Sequence, residues 1–409
     1  MPEDTAHRTH LLGLSADGVC AAVAELGVEP YRAKQVVRWV YQRGEADWSA
    51  MTDLPAATRG KLAERFTVLL GDEVQSLRAS DATRKLLIAW PPRKTNLAVT
   101  PSPGQVADPT PDEAVSTVGA PTALPMLGGI QPGFAGDRRT ESVLIPATSR
   151  ESGRKRRTAC VSSQVGCPVG CKFCASGLDG LDGNLTRGQI VEQAWRLARL
   201  DGGFTENPDG GGGLTHVVFM GMGEPLVNFK AVSGALETMT AEWGLNLSAR
   251  RITVSTVGVP AGMRKLADLG LPVTLAISLH APNDQVRKQI IPWADFTTVE
   301  ELIDAGQAYF AKTGREVTLE YILLGGLNDR AEHARELADV CQRLRGHVNL
   351  IRYNEVPGLP FVRPTDEDVD RFQRELRKAG VGAHTRASRG RDIAAACGQL
   401  ARQSRKASA

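Results

Sequence analysis

CVSSQVGCPVGCKFC, residues 160–174, carries four of the chain's seven cysteines. The last three, Cys167, Cys171 and Cys174, are spaced C-x3-C-x2-C. Three thiolates do not close a tetrahedral zinc centre, but they can hold a [4Fe-4S] cluster by three of its irons and leave the fourth open to a ligand. Gly166, Pro168 and Gly170 suit a loop wrapped closely around a compact inorganic body. The alternative is a four-cysteine zinc knuckle with Cys160 as fourth ligand, which the spacing does not exclude. It would imply a structural zinc site without catalysis.

Working outward, 409 residues with 42% hydrophobic and 23% charged suffice for two or three domains with a sizeable core. No apolar run approaches the ~20 residues of a membrane span, and MPEDTAHRTH lacks the apolar stretch of a signal peptide. A cytoplasmic protein without a membrane partner is expected. An odd number of unevenly clustered cysteines argues for metal or redox work rather than a secreted disulfide framework. With a net charge of only +3, any nucleic-acid contact must come from local patches.

Residues 1–68 read as a small helical domain. Ser15 caps a first helix, Pro30 opens a second and Leu54-Pro55 starts a third that ends near Phe66. The second helix places Val36, Val37 and Val40 on an apolar face, with Arg32, Lys34, Arg38 and Arg43 near Tyr31, Trp39 and Tyr41. That interleaving suits phosphate contact and base stacking, and equally a solvated helix face. Residues 69–147 read as a β extension, a hairpin turning near Ser80-Asp81 and the strand ESVLIP, interrupted at 91–137 by a flexible Pro-rich insertion. A basic stretch follows, with Arg150, Arg154, Lys155, Arg156 and Arg157, suited to phosphate.

Across 148–365, six strand-like runs alternate with helical ones, from TACVSS through HVNLIRYN. Apolar strands followed by helices indicate an α/β fold, a parallel sheet covered by helices. Asp201-Gly-Gly-Phe and the glycines at 210–213 read as a flexible loop. Residues 366–409 read as a terminal helix and a segment carrying Arg386, Arg389, Arg391 and Cys397.

C-x3-C-x2-C after a strand, with Phe173 between the last two ligands, resembles the radical S-adenosylmethionine (SAM) superfamily. With GMGEPLVN (221–228), ISLHAPND (277–284) and DIAAACGQL (392–400), the chain is similar to the RlmN/Cfr family of adenosine-methylating enzymes, and especially to its RlmN branch. The resemblance implies a partial (βα)6 barrel, with Cys167, Cys171 and Cys174 as cluster ligands. It also implies SAM contacts at Gly223, Glu224, Ser255, Ser278, Leu279, His280 and Asn354, all at strand ends. Ser and Asn at such ends are ordinarily caps or turn formers, and His280 is equally readable as a structural histidine. Glu141, otherwise an exposed strand carboxylate, aligns with a proton acceptor.

The resemblance further implies that Cys397 carries a methyl group and that Cys160 resolves a protein–RNA adduct through a disulfide. Two SAM molecules would be used per turnover, and the product would be methylated at C2 of an adenosine in 23S ribosomal RNA near the peptidyl transferase centre. The adenosine 3′ of the anticodon in transfer RNA would be a further substrate. C8 methylation of the same ribosomal nucleotide, as in Cfr, is the rival outcome with the same cysteines. A monomer reduced by flavodoxin or ferredoxin is expected. Cys20 and Cys341 match no motif and read as helix-packing residues.

Overall fold

Short apolar runs punctuated by strong helix caps set the architecture. The computed structural model describes residues 8–92, 138–148, 155–206 and 213–400. The chain opens with β1 (Thr9–His10), α1 (Ala16–Ala24), α2 (Pro30–Tyr41), α3 (Ala56–Arg65) and β2 (Phe66–Thr67). Ser15 Oγ accepts the Gly18 N–H at 3.1 Å, and Pro30 occupies the first turn of α2, where its missing N–H is no loss. β1 and β2 pair in parallel and tie the two ends of this unit together; two residues each are too few to carry a period. Tyr41 is buried with Ala33, Val36 and Val40 and meets Trp243 edge-on at 5.8 Å. It belongs to the core and does not join the basic face of α2. On that face Arg43 lies 4.0 Å over Trp39 and Arg32 4.6 Å over Tyr31.

β3 (Asp72–Arg78), β4 (Arg84–Ala89), β5 (Arg139–Thr148) and β6 (Lys155–Cys160) form an antiparallel run, each paired to the next. Asp81 Oδ1 accepts the Thr83 N–H at 3.0 Å in the expected turn. Trp90 N–H donates to Arg138 O at 2.8 Å, closing the base of the Pro-rich insertion, whose residues 93–137 lie outside the described residues, as do Arg150 and Arg154. A small hairpin, β7 (Gln164–Gly166) and β8 (Leu181–Asn184), brackets the cysteine loop.

The remaining elements alternate. They are α4 (Arg187–Arg199), α5 (Gly203–Glu206), β9 (His216–Phe219), α6 (Phe229–Thr240), β10 (Ile252–Thr256), α7 (Pro260–Asp268), β11 (Thr274–Ser278) and α8 (Asp284–Ile290), then α9 (Val299–Thr313), β12 (Thr318–Leu323), α10 (Ala331–Leu344), β13 (His347–Arg352), α11 (Asp366–Lys378) and β14 (Ala383–Arg386). Capping boxes start α4, α9 and α11; each satisfies two orphan donors of the first turn. One ten-stranded sheet runs β14-β13-β12-β11-β10-β9-β6-β5-β4-β3, parallel from β6 to β14 and antiparallel beyond β6. The fold is thus the expected α/β barrel with a small N-terminal unit, and β14 adds a seventh parallel strand at the edge. All six residues of β12 are buried, as befits a strand covered on both faces.

The Asp201-Gly-Gly-Phe stretch is ordered rather than a flexible loop. Phe204 is buried and its ring lies 6.0 Å from that of Trp195, while Asp201 pairs with Arg84 at 2.7 Å. Gly210 to Gly212 lie outside the described residues. The N-terminal unit docks on α4, where Trp195 Nε1 donates to Val40 O at 2.8 Å and His10 meets Glu192 at 3.1 Å. Cys20 packs partly buried against the core, and buried Cys341 donates from Sγ to Gly346 O. No helix among the described residues is long and apolar enough to cross a membrane.

Candidate active site

Motif residues collect at the C-terminal ends of the parallel strands, where loops can vary without disturbing the sheet. The loop after β7 carries the three clustered cysteines. Its start is fixed by Cys167 N–H to Gly180 O at 3.0 Å, its middle by Lys172 N–H to Ile290 O at 2.9 Å and its end by Cys174 N–H to Cys171 O at 3.1 Å. Gly166 has a φ of +78°, and a Cβ there would sit 2.0 Å from Gly180 O, so only glycine closes this turn. The three cysteines pack against an apolar group that includes Val169, Phe173, Val257, Trp293, Ile322 and Tyr353.

Burial pushes the Cys167 thiol up to about 12, with Cys174 and Glu224 adding to the rise. Cys171 and Cys174 are raised as well, again first by burial. Three thiols in one another's field have reason to ionise only on a cation. Three thiols gathered against one apolar group are a donor set that fits a [4Fe-4S] cluster with one iron left open. Cys160, the knuckle's fourth ligand, packs elsewhere, with Val143, Val218, Met222 and Ala395.

The polar letters of CVSSQ wire β6 to its neighbours. Ser162 Oγ donates to Glu141 O at 2.7 Å and accepts the Met222 N–H at 2.9 Å. Ser162 N–H reaches Gln193 Oε1 at 2.9 Å, and Gln164 Oε1 accepts the Glu224 N–H at 2.7 Å. Gly221 and Gly223 make room for this segment. A Cβ on Gly221 would lie 2.7 Å from Ser162 Oγ, and one on Gly223, whose φ is +100°, 2.6 Å from Gln164 Cβ.

Glu224 is buried, and burial raises its carboxyl to about 7 although Val257 and Leu226 N–H groups donate to it at 2.7 and 3.0 Å. Ser255 and Ser278 share a hydrogen bond of 3.2 Å across β10 and β11, and Leu279 is buried beside them. His280 has a φ of +59°; its Nδ1 accepts the Ile322 N–H at 3.1 Å, and its ring meets Phe173 edge-on at 5.1 Å. Burial lowers it to about 3, so it is neutral. Arg287, fully buried, donates to Leu279 O, Thr297 O and Val257 O and braces this rim from below; nothing in its sequence position had singled it out. Glu224, Ser255, Ser278, Leu279 and His280 thus share one rim, able to present a carboxylate, hydroxyls and backbone to an amino-acid-like cofactor such as SAM.

Asn354, after β13, also touches the terminal segment. Its Nδ2 donates to Cys397 O at 3.1 Å, so it secures the terminal cysteine. The segment after Cys397 is pinned to the cluster loop by Ala175 N–H to Gly398 O at 2.8 Å and Ser176 Oγ to Leu400 O at 2.6 Å. Cys160 and Cys397, both free thiols, line one cavity of about 70 Å³ together with Met220, Asn354 and Arg386. Burial pushes Cys160 up to about 12, Cys397 pushes the same way and Arg386 opposes. The Arg386 guanidinium is held charged, first by its neighbour Cys397 and, against the cost of burial, by Glu320. Arg386 was legible only as one of several basic residues near the terminus.

Glu141 is buried, not exposed, and does not line that cavity. It pairs with equally buried Lys85 at 2.8 Å, and Lys85 Nζ donates on to Ala394 O at 3.1 Å. Lys85, missed in the sequence, links Glu141 to the segment bearing Cys397.

Residues 161–338 match the radical SAM superfamily, which implies a [4Fe-4S] cluster and SAM, and residues 9–68 match the ribosomal RNA large subunit methyltransferase N-terminal domain. The dual-specificity RNA methyltransferase RlmN of Nitratidesulfovibrio vulgaris is 40% identical over 395 residues, 96% of this chain and 94% of that one. That of Lawsonia intracellularis is 38% identical over 378 residues, 92% of each. A crystal structure of a radical SAM methyltransferase from Sphaerobacter thermophilus superposes with a TM-score of 0.79 at 37% identity, covering 96% of this chain and 99% of that one. With likeness over nearly its whole length to RlmN methyltransferases and both family domains matched, the chain belongs to the RlmN family of SAM-dependent radical RNA methyltransferases.

Proposed function

We propose that the enzyme methylates C2 of an adenosine in 23S ribosomal RNA near the peptidyl transferase centre, and the adenosine 3′ of the anticodon in transfer RNA. One observation carries the reading: Cys160 and Cys397, from distant parts of the chain, share a cavity beside the three-cysteine loop. C2 of adenine lies between two ring nitrogens and is electron-poor, so polar attack on a sulfonium methyl is not open to it. Cys167, Cys171 and Cys174 would hold the cluster; Glu224 would meet the SAM ammonium, and Gly223, Ser255, Ser278, Leu279, His280 and Asn354 would complete the cofactor site. Bound there, the cluster and SAM supply a carbon radical able to take hydrogen from a methyl group.

Cys397 is the methyl carrier. Its thiolate accepts a methyl from one SAM by displacement, Arg386 stabilising the anion beforehand, and a second SAM serves the radical step. The activated S-methyl carbon joins C2, leaving Cys397 tied to RNA by a thioether. The radical adduct must give up one electron, which the cluster would be able to accept, and a base takes the C2 proton. The Cys160 thiolate then attacks the Cys397 sulfur, and the S–CH2 bond breaks with its electron pair on carbon. That carbon takes a proton to become the methyl group, and the Cys160–Cys397 disulfide is left for a reductant to reopen. Glu141 is the proposed acceptor of the C2 proton, its charge supported by Lys85. Flavodoxin or ferredoxin is the proposed reductant, the setting cytoplasmic and the enzyme a monomer.

The test is nucleoside mass spectrometry on 23S and transfer RNA from a strain lacking its own enzyme, with and without this protein. 2-Methyladenosine in both RNAs is expected. 8-Methyladenosine would overturn the regiochemistry, and unmodified RNA the substrate.

A further inference from the structure

A second cavity, about 760 Å³, opens at the end of the sheet opposite the motif rim. Its floor is the start of the parallel strands: Thr158 of β6, His216 of β9, Thr274 of β11, Thr318 of β12 and His347 of β13. Its wall carries Arg156, Arg250, Arg315, Arg386 and Arg389 against two carboxylates, Glu316 and Glu320. Arg386 is paired with Glu320 at 3.4 Å and Arg389 with Asp81 at 3.8 Å. Arg156 and Arg315 bond to the hydroxyls of Thr158 and Thr274. Neither these two nor exposed Arg250 has a carboxylate within ion-pair distance among the described residues. Burial and the charge of Arg386 disfavour the Arg156 cation, and burial with Arg156 and Arg251 lowers His216 to about 4. Five arginines against two carboxylates leave this concave site with an excess of positive charge, which describes a site for an anion.

The cavity is not a dead end. Ile145, Met220, Arg386, Ala387 and Arg389 line both it and the small chamber holding Cys160 and Cys397. Its volume lies within the range of ligand sites, roughly 300–1,000 Å³, enough for a nucleotide extruded from its stack. The cofactor rim occupies the other end of the strands, so a base reaching Cys397 from this side would not compete with SAM for access.

We propose that the substrate RNA strand docks at this N-terminal mouth of the barrel, its phosphates on Arg156, Arg250 and Arg315, and feeds the target base past Arg386 to Cys397. This rests on the RNA-methylating reading above and adds the route and the residues. An extruded nucleotide needs its flanking phosphates held while stacking is lost, and a mouth of unpaired arginines supplies that. The two reactants then converge on one sulfur from opposite ends of the strands.

The experiment measures binding of the iron-loaded full-length protein to a fluorescein-labelled hairpin of 23S ribosomal RNA bearing the target adenosine, by anisotropy across a salt series. Arg250→Glu with Arg315→Glu is expected to weaken binding at least tenfold. The slope of log K against log salt should become shallower by about 0.7 for each phosphate no longer held. Iron content and SAM affinity should match the wild type, which reports an intact fold. In the wild type, RNA should shield Arg250 and Arg315 from phenylglyoxal, and SAM should not. Unchanged affinity and slope would sink the route, as would adenosine monophosphate displacing the hairpin at micromolar concentration, which would make this a small-anion site. Methylation of Cys397 by SAM in the absence of RNA, read by peptide mass, tests the parent reading separately; its failure would remove the carrier role while the binding data still decide the mouth.

Discussion

The two groups of thiols in this enzyme are built in opposite ways. Cys167, Cys171 and Cys174 sit on a single loop whose hydrogen bonds run mostly to its own neighbours, Gly180 and Cys171 among them. Cys160 and Cys397 come from distant parts of the chain, and the β3–β4 hairpin, with Asn354 and the loop at Ala175 and Ser176, holds the terminal segment in place. Lys85 reaches Ala394 O, Ser80 N–H reaches Asp392 and Asp81 accepts the Gly390 N–H. The two sites touch through Ala175 and Ser176, but each draws most of its support from different segments. A lesion in the pair or its clasp should leave the triplet able to load, whereas a lesion in the triplet should silence both.

The largest effects separate the groups outright. Cys171→Ala should lose cluster iron and absorbance near 400 nm together with all methyl transfer. Cys397→Ala should keep iron at the wild-type level and still lose all methylation; iron analysis beside nucleoside mass spectrometry reads both. Next in size, Cys160→Ala should load iron, accept the methyl and stall after joining RNA, visible as a protein–RNA adduct on a denaturing gel. Normal turnover of that variant would falsify the resolving role.

The same contrast explains what could be read in advance. The triplet, the strand ends and the helix caps are local patterns, and they were legible, from C-x3-C-x2-C to the Pro30 start of α2. Tyr41 was misplaced, although its spacing from Ala33 and Val37 puts it on the apolar stripe. β14 reads Ala-His-Thr-Arg, with no apolar run to mark it as a seventh strand. Lys85 was invisible for a different reason. In β4 the residues Lys85, Leu86, Leu87 and Ile88 are all buried, so both faces are covered and alternation, the usual guide to which side chain points inward, carries no information. A buried lysine declares itself only when its carboxylate arrives from another strand.

Lys85→Met tests the clasp. It strands the Glu141 carboxylate in the core, and breaking a buried pair from one side costs about 3–5 kcal/mol. Thermal unfolding should shift down accordingly and Cys397 methylation should slow, with iron content per folded molecule unchanged. Pairing it with Glu141→Leu should recover much of the stability and none of the turnover, since the charge is then gone along with its penalty. Equal loss of iron in the single variant would show that clasp and cluster loop are one unit.

The smallest expected effect lies where the N-terminal unit docks on α4. Burial alone would raise the Glu192 carboxyl, but the His10 hydrogen bond and charge, with Arg196 and the Leu70 N–H, outweigh it and hold it below the ordinary value of 4.5. A carboxyl depressed on folding adds stability that is full above its unfolded value and drains away as pH falls through the folded one. Docking should therefore be flat from neutrality down to about 4.5 and weaken below, seen as faster amide exchange at Leu11 and Leu12 ahead of exchange in β10 to β12. Glu192→Gln keeps the side chain's shape and removes the charge. It should weaken docking by about 2 kcal/mol at neutral pH, the usual scale for a hydrogen bond to a charged group, and abolish the acid-dependent limb. An unaltered acid limb in that variant would move the titrating group elsewhere, while leaving the thiol chemistry of the barrel untouched.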